Sequence, residues 1–535
     1  MKTAKRILAG ILVSILSFSA AGCTGSPDSS QNAEQGSVAG DTSTGEKAPE
    51  GGEVTVSVFD RGTTGQTQVD NNYWTDWIKK GIKEDLGIDV TYVPIIRSEE
   101  VSKLNVLMAS NSAPDISFTY TFDLVCRFME QGGLTQLDDL VAEYGPNLNE
   151  VLGEEVLKYG RMYGDLYSIP ARRNFISHTS HWIRKDWLDA LGLEIPQTTE
   201  EWYETMVAFK EKNPGNVEGV IPIAVSSTAN LGNMYNTFID YDSMSEEDYY
   251  CMNEFMKPGA KEYYRYMNKL NSEGLLSPDF ALQKDDKQRD ADVMNGKAGF
   301  MSAPGVVDYP LRNQPGIVRN LWQNVPGSEL VPCDPFTNDE GEHTKELYPL
   351  YGIFAFIPSY SEHAREAIQY LDWTTDYDVI KFLQFGEEGV QHTVNEEGVP
   401  ILLDLDNERK QNSPSNSDYT ITQNGVNLYG DEDLNRKAWI LGFGEEYADL
   451  ADEAYRIGLD DGMDPPYFDR PLEKSSKYTT ALSDKAKILK NQVITCAPAE
   501  FDALYDQLYE DYMKNGGQEV YDEKVEVYNL MKSGK

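Results

Sequence analysis

Basic side chains are scarce in this sequence relative to acidic ones. The 535 residues include 47 Lys and Arg against 88 Asp and Glu, which gives a formal net charge of −41. Such an excess of negative charge repels the phosphates of nucleic acids and the headgroups of anionic lipids. Nucleic acids and anionic membrane surfaces are therefore disfavoured as partners, and we interpret the acidity as a solvated surface.

Cysteine and histidine are also rare, and their spacing does not indicate a metal site. None of the five cysteines lies in a C-x-x-C pair, which argues against zinc and against a disulfide-dense scaffold. One or two disulfides remain compatible with the spacing, but buried free thiols are favoured. His178 and His181 are three residues apart in a stretch that favours an extended conformation, so we predict no metal and no cofactor. The four cysteines beyond Cys23 are Cys126, Cys251, Cys333 and Cys496.

Motifs of the common catalytic types are missing. The sequence lacks G-x-S-x-G, H-E-x-x-H, a phosphate-binding loop and a Cys/His nucleophile pattern. A glycosidase needs only two well-placed carboxylates, so the abundance of acids carries no information on this point. We predict that the protein is not an enzyme, and a polysaccharide-acting enzyme is the least favoured alternative.

The N-terminus has the parts of a secretory signal. Three basic residues precede an apolar run at 7–18, and the small residues Ala20-Ala21-Gly22 lead to Cys23. The segment resembles the signal of a bacterial lipoprotein, in which cleavage before the cysteine leaves a thiol that carries lipid. We predict a signal peptide at 1–22 and lipidation of Cys23. An ordinary signal peptide with a chance cysteine is the alternative.

Residues 23–52 are rich in Gly, Ser, Thr and acids and have few large apolar side chains. Such a composition cannot offset its own ordering entropy, so we predict a disordered tether with a reach of roughly 30 Å. No second apolar run in the sequence is long enough to span a bilayer. We therefore predict a protein held by its lipid at the extracellular face of the cell membrane.

A strand-helix-strand-helix-strand pattern follows the tether. Strands are predicted at 54–59, 88–93 and 115–120, and helices at 73–85 and 99–110. This order predicts right-handed crossovers and a parallel sheet. Ligands of such sheets bind beyond the carboxyl ends of the strands. The side chains expected there are Asp60, Arg61, Tyr120, Phe122 and Asp123.

The most specific motif lies at 182–209. It predicts a short strand, then a brief helix that is capped by Asp186 and ended by Gly192. A second helix is predicted to begin at a capping box formed by Thr198 and Glu201. Each of these residues has a structural role, so alone they indicate no function.

The order of the residues in this motif resembles the extracellular solute-binding proteins of ABC sugar importers. The two parts are Arg184-Lys-Asp-Trp-Leu-Asp-Ala-Leu-Gly-Leu193 and Pro196-Gln-Thr-Thr-Glu-Glu-Trp202. More narrowly, they resemble the LipO-like subgroup of family 1 solute-binding proteins, which is associated with oligosaccharides. Blocks that agree in order are Ile169-Pro170, Gly296-Lys-Ala-Gly-Phe-Met301, Tyr351-Gly-Ile-Phe-Ala-Phe-Ile-Pro358 and Phe385-Gly-Glu-Glu-Gly-Val-Gln-His392.

The resemblance implies an α/β, two-lobed, periplasmic-binding-protein-like fold with a hinge of crossing strands and a ligand cleft between the lobes. The first lobe is expected at 53–175 plus 355–410, and the second at 176–354 plus 411–535. Binding in the cleft would shift the population toward a closed form on which an importer docks. We expect a monomer.

The resemblance also implies a function. The protein is expected to capture a carbohydrate, in particular an oligosaccharide, and to deliver it to the permease subunits of an ABC transporter. Sugar sites combine flat aromatic rings with polar side chains, and Arg172 and Arg173 could pair the carboxylate of an acidic sugar. The predicted ligand-contacting residues are Asp60, Arg61, Tyr120, Phe122, Asp123, Arg172, Arg173, Asn174, Trp182, Asp308, Tyr309 and Tyr351.

Other binding functions stay open. A binding protein for peptides or another small solute, or a sensor subunit that feeds a surface kinase, would fit the same resemblance. The sequence departs from the subgroup at the loop 213–219, where members often bind calcium. Only Glu218 is charged in this loop, which supplies too few oxygens for a six- to eight-coordinate ion. We predict no calcium there.

Overall fold

The computed structural model describes residues 51–61, 68–305, 307–312, 316–403, 418–425, 427–428 and 430–534. The strands in these residues are β1 (Gly52–Asp60), β2 (Ile88–Ile96), β3 (Ser117–Thr119), β4 (Arg161–Met162), β5 (Asp165–Leu166), β6 (Ile169–Arg173), β7 (Ser180–Arg184), β8 (Ile221–Ala224), β9 (Ala298–Ala303), β10 (Leu330–Cys333), β11 (Lys345–Glu346), β12 (Tyr351–Phe356), β13 (His392–Val394), β14 (Pro400–Leu402), β15 (Gln423–Asn424) and β16 (Gly462–Met463). The α-helices are α1 (Tyr73–Leu86), α2 (Glu100–Ala109), α3 (Phe122–Glu130), α4 (Asp138–Tyr144), α5 (Pro146–Leu157), α6 (Lys185–Leu191), α7 (Thr199–Lys212), α8 (Met234–Thr237), α9 (Glu246–Cys251), α10 (Ala260–Ser272), α11 (Lys287–Met294), α12 (Ile317–Asn324), α13 (Ala364–Thr375), α14 (Tyr377–Phe385), α15 (Glu432–Leu441), α16 (Ala448–Leu459), α17 (Glu473–Thr495), α18 (Phe501–Tyr512) and α19 (Gln518–Lys532).

The first part of the fold is a parallel arrangement of strands and helices. Strands β1 and β2 pair in parallel, and Ile116 joins them through a parallel bridge to Val56. Helix α1 begins after Asn72, whose side chain caps it, and ends at Gly87 with a φ of 71°. Glycine suits this end because the left-handed conformation strains residues that carry a Cβ. The predicted strand-helix order and the parallel pairing of the first two strands are confirmed, whereas the third strand, β3, pairs antiparallel with β12 in another sheet.

A second sheet carries the chain to the crossings. Its strand order is β15–β6–β12–β3, in which β12 runs antiparallel to β3 and β6, and β15 runs parallel to β6. The chain crosses between β6 and β7, between β11 and β12, and after β15. The crossing segments are hydrogen bonded to one another, because the N–H of Tyr348 donates to the carbonyl of Ile176 and the N–H of Asn174 to that of Asn424. Crossing strands are thus present, and their action as a hinge stays a prediction.

A third sheet lies beyond the crossings, with the strand order β10–β7–β9–β8. Strands β8 and β9 are parallel, and the other pairs are antiparallel. Helix α7 packs on this sheet through Trp202, Met206 and Phe209, which are wholly buried. The helical spacing of these three side chains places them on one face, as an amphipathic helix requires.

Two local details of the 182–209 motif differ from prediction. Asp186 does not cap α6; its carboxylate accepts hydrogen bonds of 2.8 and 2.6 Å from the guanidinium of Arg184. A charged donor binds a carboxylate more strongly than a backbone N–H does. Thr198 caps α7 as predicted, but Glu201 accepts from the N–H of Gln197 and does not close a box on Thr198.

Apolar side chains form separate cores on the two sides of the crossings. The first core draws mainly on residues 54–171 and 353–383. On the other side, the cores draw on residues 182–336 and 440–512. Separate cores in two discontinuous stretches are what a two-lobed α/β chain of this length requires.

One boundary needs correction. Tyr419 and Ile421, which the predicted division placed in the second lobe, are buried in the first core. The reason is that β15 pairs with β6 before the chain crosses for the third time. The remaining boundaries of the predicted lobes stay predictions.

The predictions for the signal peptide and for Cys23 lie outside the described residues. Gly52, the last residue of the predicted tether, is already the first residue of β1, where it pairs with Ile88. The amino-acid composition of a segment does not indicate whether its backbone pairs in a sheet. Among the helices of the described chain, none is both long enough and apolar enough to cross a membrane.

The four cysteines beyond Cys23 are free thiols. Cys126, Cys251 and Cys333 are buried, whereas Cys496 is half-buried. The prediction of buried free thiols is therefore confirmed for three of the four.

Candidate functional site

Two adjoining cavities lie where β8 and β9 end. Because these strands are parallel, their carboxyl ends meet at one edge of the third sheet. The cavities have volumes of about 290 and about 250 Å³ and share Thr228, Asn230 and Pro304. This edge is the place where ligands of open α/β sheets bind.

The larger cavity combines aromatic rings with amides. The hydroxyl of Tyr241 donates to the side-chain oxygen of Asn236 (3.0 Å), and that of Tyr249 donates to the carbonyl of Asp464 (2.6 Å). With these hydroxyl protons in use, the rings offer mainly their faces to a solute, which suits the C–H face of a sugar. The aromatic and amide residues on the wall are His178, Tyr235, Tyr241, Tyr249, Tyr263, Tyr264, Asn230, Asn233 and Asn236.

The smaller cavity is polar and includes Tyr309, one of the predicted ligand contacts. The hydroxyl of Tyr309 donates to Asp290 at 2.6 Å, and the guanidinium of Arg289 donates to the same carboxylate at 2.8 and 3.0 Å. Burial and the hydrogen bond to Asp290 raise the pKa of Tyr309, so its hydroxyl stays protonated at neutral pH. Ser226 donates to Asp286 on the same wall. The wall can therefore exchange hydrogen bonds with sugar hydroxyls.

Arg173 connects the crossing strands to this region. Its Nε donates to the carbonyl of Tyr351 (3.3 Å), and its guanidinium lies 4.3 Å from the ring centroid of Tyr348. The ring of His178, which lines the larger cavity, lies 4.5 Å from the same tyrosine ring. The hydroxyl of Tyr348 donates to the carbonyl of Gly305, just past the end of β9. These contacts place Arg173 one ring away from a residue of the cavity wall.

The residues predicted at the edge of the first sheet lie together, but the charge of Arg61 is already paired. Arg61 makes two hydrogen bonds of 2.7 Å with Asp418 and one of 3.3 Å with the hydroxyl of Tyr120. These hydrogen bonds, which the carboxylate of Asp418 accepts, raise the pKa of Arg61. Asp60 is the last residue of β1, beside Arg61.

Phe122, Asp123 and Tyr351 contact another part of the chain. The ring of Tyr467 lies 5.8 Å from that of Phe122 and 6.1 Å from that of Tyr351. Ser476 donates to the carboxylate of Asp123 at 2.9 Å. Three of the residues that were predicted to contact ligand are therefore in contact with another part of the chain.

Three more predicted residues also have side-chain partners. None of the three lines either of the two cavities among the described residues. The pairs are Arg172–Glu155, Asn174–Gln423 and Asp308–Arg312.

Trp182 is wholly buried in a core, and its Nε1 donates to the hydroxyl of Ser180 at 2.7 Å. It therefore does not reach the cavities. Every residue of β7 is buried, so this strand has no solvent-facing side for the tryptophan to use. Alternation of side chains along a strand could not reveal this.

The sequence patterns did not indicate most of the cavity wall. Asn230, Tyr235 and Lys257 come from the loops and short helices that follow β8. One signal was present, because the run 226–236 is rich in hydroxyls and amides and follows a short apolar stretch. Such a run after a strand is a candidate for a binding loop.

A larger groove, of about 770 Å³, lies among helices and not at strand ends. Its wall comes from α1, the α4–α5 connection and the region of α13 and α14, and carries six carboxylates and one lysine. None of the predicted ligand contacts lies in it. We favour the smaller cavities, because they adjoin the strand ends and the crossings.

The loop 213–219 is closed by Asn213, whose side chain accepts from the N–H of Val217 (3.1 Å) and donates to its carbonyl (2.8 Å). The side-chain amide of Asn213 is thus already hydrogen bonded within the loop. Within the described residues, no group of three or more His, Cys, Asp or Glu is arranged to hold a metal ion. The absence of calcium from this loop stays a prediction.

Comparison with proteins of known sequence gives relatives among lipoproteins and sugar-binding proteins. The chain is 26% identical over 335 residues to lipoprotein LipO of Bacillus subtilis strain 168, which covers 60% of this chain and 64% of that protein. It is 26% identical over 330 residues to the polygalacturonan/rhamnogalacturonan-binding protein YtcQ of the same organism, covering 58% of this chain and 62% of the relative. The matched regions thus span less than two thirds of these relatives.

Comparison with solved structures shows the same fold. The fructooligosaccharide-transport protein FusA of Streptococcus pneumoniae, in complex with kestose, superimposes with a TM-score of 0.63 at 16% identity over 90% of this chain and 100% of the other. The alginate-binding protein AlgQ2 without calcium ion gives a TM-score of 0.61 at 20% identity over 89% and 98%. The predicted two-lobed α/β fold is confirmed. A family model described as bacterial extracellular solute-binding protein matches residues 65–379, and the chain therefore belongs to that family.

Proposed function

We propose that this protein captures an oligosaccharide between its two lobes and delivers it to the permease subunits of an ABC transporter, without changing the sugar. The observation that carries the proposal is the pair of cavities at the ends of β8 and β9, lined by tyrosine rings, amides and hydroxyls beside the crossing strands. The names of two relatives, one for fructooligosaccharide transport and one for binding polygalacturonan and rhamnogalacturonan, support a carbohydrate over other solutes.

The proposed contacts include residues that the sequence predicted and residues that only the cavity wall indicates. Tyr309 and Arg173 stay candidates from the sequence, and Asn230, Tyr235 and Lys257 join them from the cavity wall. The remaining predicted contacts stay candidates for a closed form, since closure would bring the edge of the first sheet toward the third. Trp182 is left out because it is buried.

A thermal-shift screen tests the capture of sugar. The variant Cys23→Ser, made without lipid, is heated with neutral and acidic oligosaccharides and with peptides of similar mass. A ligand at a hundred times its dissociation constant should add about 2.7 kcal/mol to the free energy of unfolding. A shift with one sugar series supports the proposal. Shifts with peptides alone would move the assignment to a peptide-binding protein, and loss of intact sugar during incubation would indicate an enzyme.

Closure and anchoring are separate parts of the proposal. Small-angle scattering should give a smaller radius of gyration with the sugar than without it, because a solute that contacts both lobes favours the closed form. An unchanged radius would contradict a hinge mechanism. For the anchor, cells that express the Cys23→Ser variant should release to the medium the protein that wild-type cells retain at the membrane.

A further inference from the structure

Arg173 is a half-buried cation that forms no ion pair with any described residue. Its contacts are a 3.3 Å hydrogen bond to a backbone carbonyl and the face of Tyr348. Burial lowers the pKa of Arg173, because desolvation disfavours its charged form and no carboxylate compensates. An unpaired, desolvated guanidinium is unfavourable unless something binds it.

Two other arginines, by contrast, each pair with a carboxylate. Arg172 pairs with Glu155, and Arg61 pairs with Asp418. Acids outnumber bases 88 to 47 in this chain, so carboxylate partners are plentiful. The lack of a protein carboxylate on Arg173 therefore reflects its position on the crossing strand and not a shortage of acids.

Lys257 is a second cation of this kind, on the wall of the larger cavity. Its ammonium lies 5.5 Å from the ring centroids of both Tyr241 and Tyr249. Among the described residues it has no ion pair and no hydrogen bond of its side chain. His178 lies on the same wall and against Tyr348, so the larger cavity extends from Lys257 toward Arg173.

The acids near these two cations do not neutralise them directly. On the cavity wall, Glu254 is paired with Lys490 at 2.7 Å. Burial lowers the pKa of Lys257 and outweighs the charge of Glu346, which also lines this cavity and favours the charged form of the lysine. Glu346 is exposed and forms no ion pair within the described chain, so water and salt screen its charge. Near Tyr348, Asp308 is paired with Arg312 at 2.8 Å.

We infer that the solute is an acidic oligosaccharide whose carboxylates are bound by Arg173 and Lys257. The inference rests on the proposed function, which it narrows to sugars that contain uronic acids. The planar guanidinium of Arg173 matches a carboxylate through two parallel hydrogen bonds, and the ammonium of Lys257 serves as a point charge beside two rings. The tyrosine faces bind the sugar rings between these contacts.

Titration calorimetry of the Cys23→Ser protein tests the inference with matched ligands. The probes are oligogalacturonides and alginate oligomers, each compared with its carboxyl-reduced counterpart, together with neutral oligosaccharides. We expect an oligouronide to bind and its reduced form to bind roughly 10- to 100-fold more weakly, the size of a lost charge-assisted hydrogen bond. Arg173→Gln and Lys257→Gln should each remove much of this difference.

Matched controls separate charge recognition from general damage. Arg265→Gln changes an arginine of α10 that pairs with Asp502, and Lys261→Gln changes a lysine of the same helix that pairs with Asp506. Both should bind the oligouronide as the parent does. Affinity for the acidic ligand should fall with added salt, whereas affinity for its reduced form should not.

The outcomes are distinct. Binding of neutral or reduced sugars only, or equal binding of acidic and reduced forms, overturns the inference and leaves the proposed function standing. Preference for the acidic form that survives both Arg173→Gln and Lys257→Gln overturns the assignment to these residues. Failure of every sugar, acidic or neutral, contradicts the proposed function itself.

Discussion

The guanidinium of Arg61 forms two hydrogen bonds of 2.7 Å with the carboxylate of Asp418, although 357 residues separate them. The side chain of Asp418 is 1% exposed and that of Arg61 is 24% exposed. The pair joins the end of the first strand to the late segment that enters the first core as β15. A charge-assisted hydrogen-bonded pair thus connects two parts of the first core that are far apart in sequence.

Replacing Arg61 by Gln should lower the free energy of unfolding by about 3–5 kcal/mol, because it leaves the Asp418 carboxylate buried without its partner. Denaturant unfolding of the Cys23→Ser protein measures the change. Arg172→Gln is the control, since its partner Glu155 is exposed and such pairs contribute less than about 1 kcal/mol. Similar losses for the two variants would contradict a special role for the buried pair.

Trp182 and Tyr309 were both predicted to contact ligand, and they should now behave differently. Trp182→Ala empties a core site and should lower the free energy of unfolding by about 3–5 kcal/mol. Tyr309→Ala removes a cavity-wall ring and should weaken sugar binding roughly tenfold. Calorimetry and denaturant unfolding of both variants distinguish the two effects. A Trp182 variant that loses affinity with unchanged stability would restore the sequence prediction.

His181 should make the protein less stable in mild acid. It is wholly buried, and burial lowers its pKa to about 3, against about 6.5 in the unfolded chain. Below about pH 6.5 the unfolded state takes up a proton that the folded state does not. The free energy of unfolding therefore decreases as the pH is lowered. Between about pH 7 and pH 5 the loss should reach roughly 2 kcal/mol. Denaturant unfolding across this range should show a shallower pH dependence for His181→Gln.

His343 should have the opposite effect. A hydrogen bond to Asp334, with a nitrogen–oxygen distance of 3.2 Å, raises the pKa of His343. A raised folded-state pKa contributes stability that is present below about pH 6.5 and is lost as pH rises through the folded-state value. His343→Gln should therefore destabilise the protein more in mild acid than at high pH. A loss that does not vary with pH would show that the imidazole charge is not involved.

Alkylation should distinguish the four free cysteines. Cys496 is half-buried, whereas Cys126, Cys251 and Cys333 are buried. Burial raises the pKa of Cys333 well above its usual range, which keeps it a protonated and unreactive thiol. Mass spectrometry after iodoacetamide treatment of the folded protein should find label on Cys496 first, and on the others only after unfolding. Early labelling of Cys333 would contradict its position in the core.

Several helix boundaries could be predicted because their signals are local. The helix that ends at Gly87 and the helix that begins at Thr198 each have their cap within a few residues of their apolar stripe. Of the contacts that we propose, the sequence indicated Arg173, which ends β6, and Tyr309, which lies a few residues after β9. Trp182 is buried because β7 is packed on both faces, and the alternation of apolar and polar residues in the sequence does not show this.

The rest of the site depends on contacts between distant parts of the chain. Lys257 reaches the cavity from the connection between α9 and α10, far from β8 in sequence. Phe122 and Asp123 begin α3 just after strand β3, but Tyr467 and Ser476 contact them. Nothing in the local pattern around either residue shows that a segment some 350 positions later will pack there.

By itself the sequence determined the order of the first strands and helices, the excess of acidic residues and the family resemblance, because these follow from composition and from spacing within short windows. Only the tertiary structure decided which charges are paired. It joined Arg61 to Asp418 and left Arg173 against a tyrosine ring. The reason is that ion pairing depends on the distance between side chains in the packed molecule, and the crossing strands set that distance across hundreds of residues.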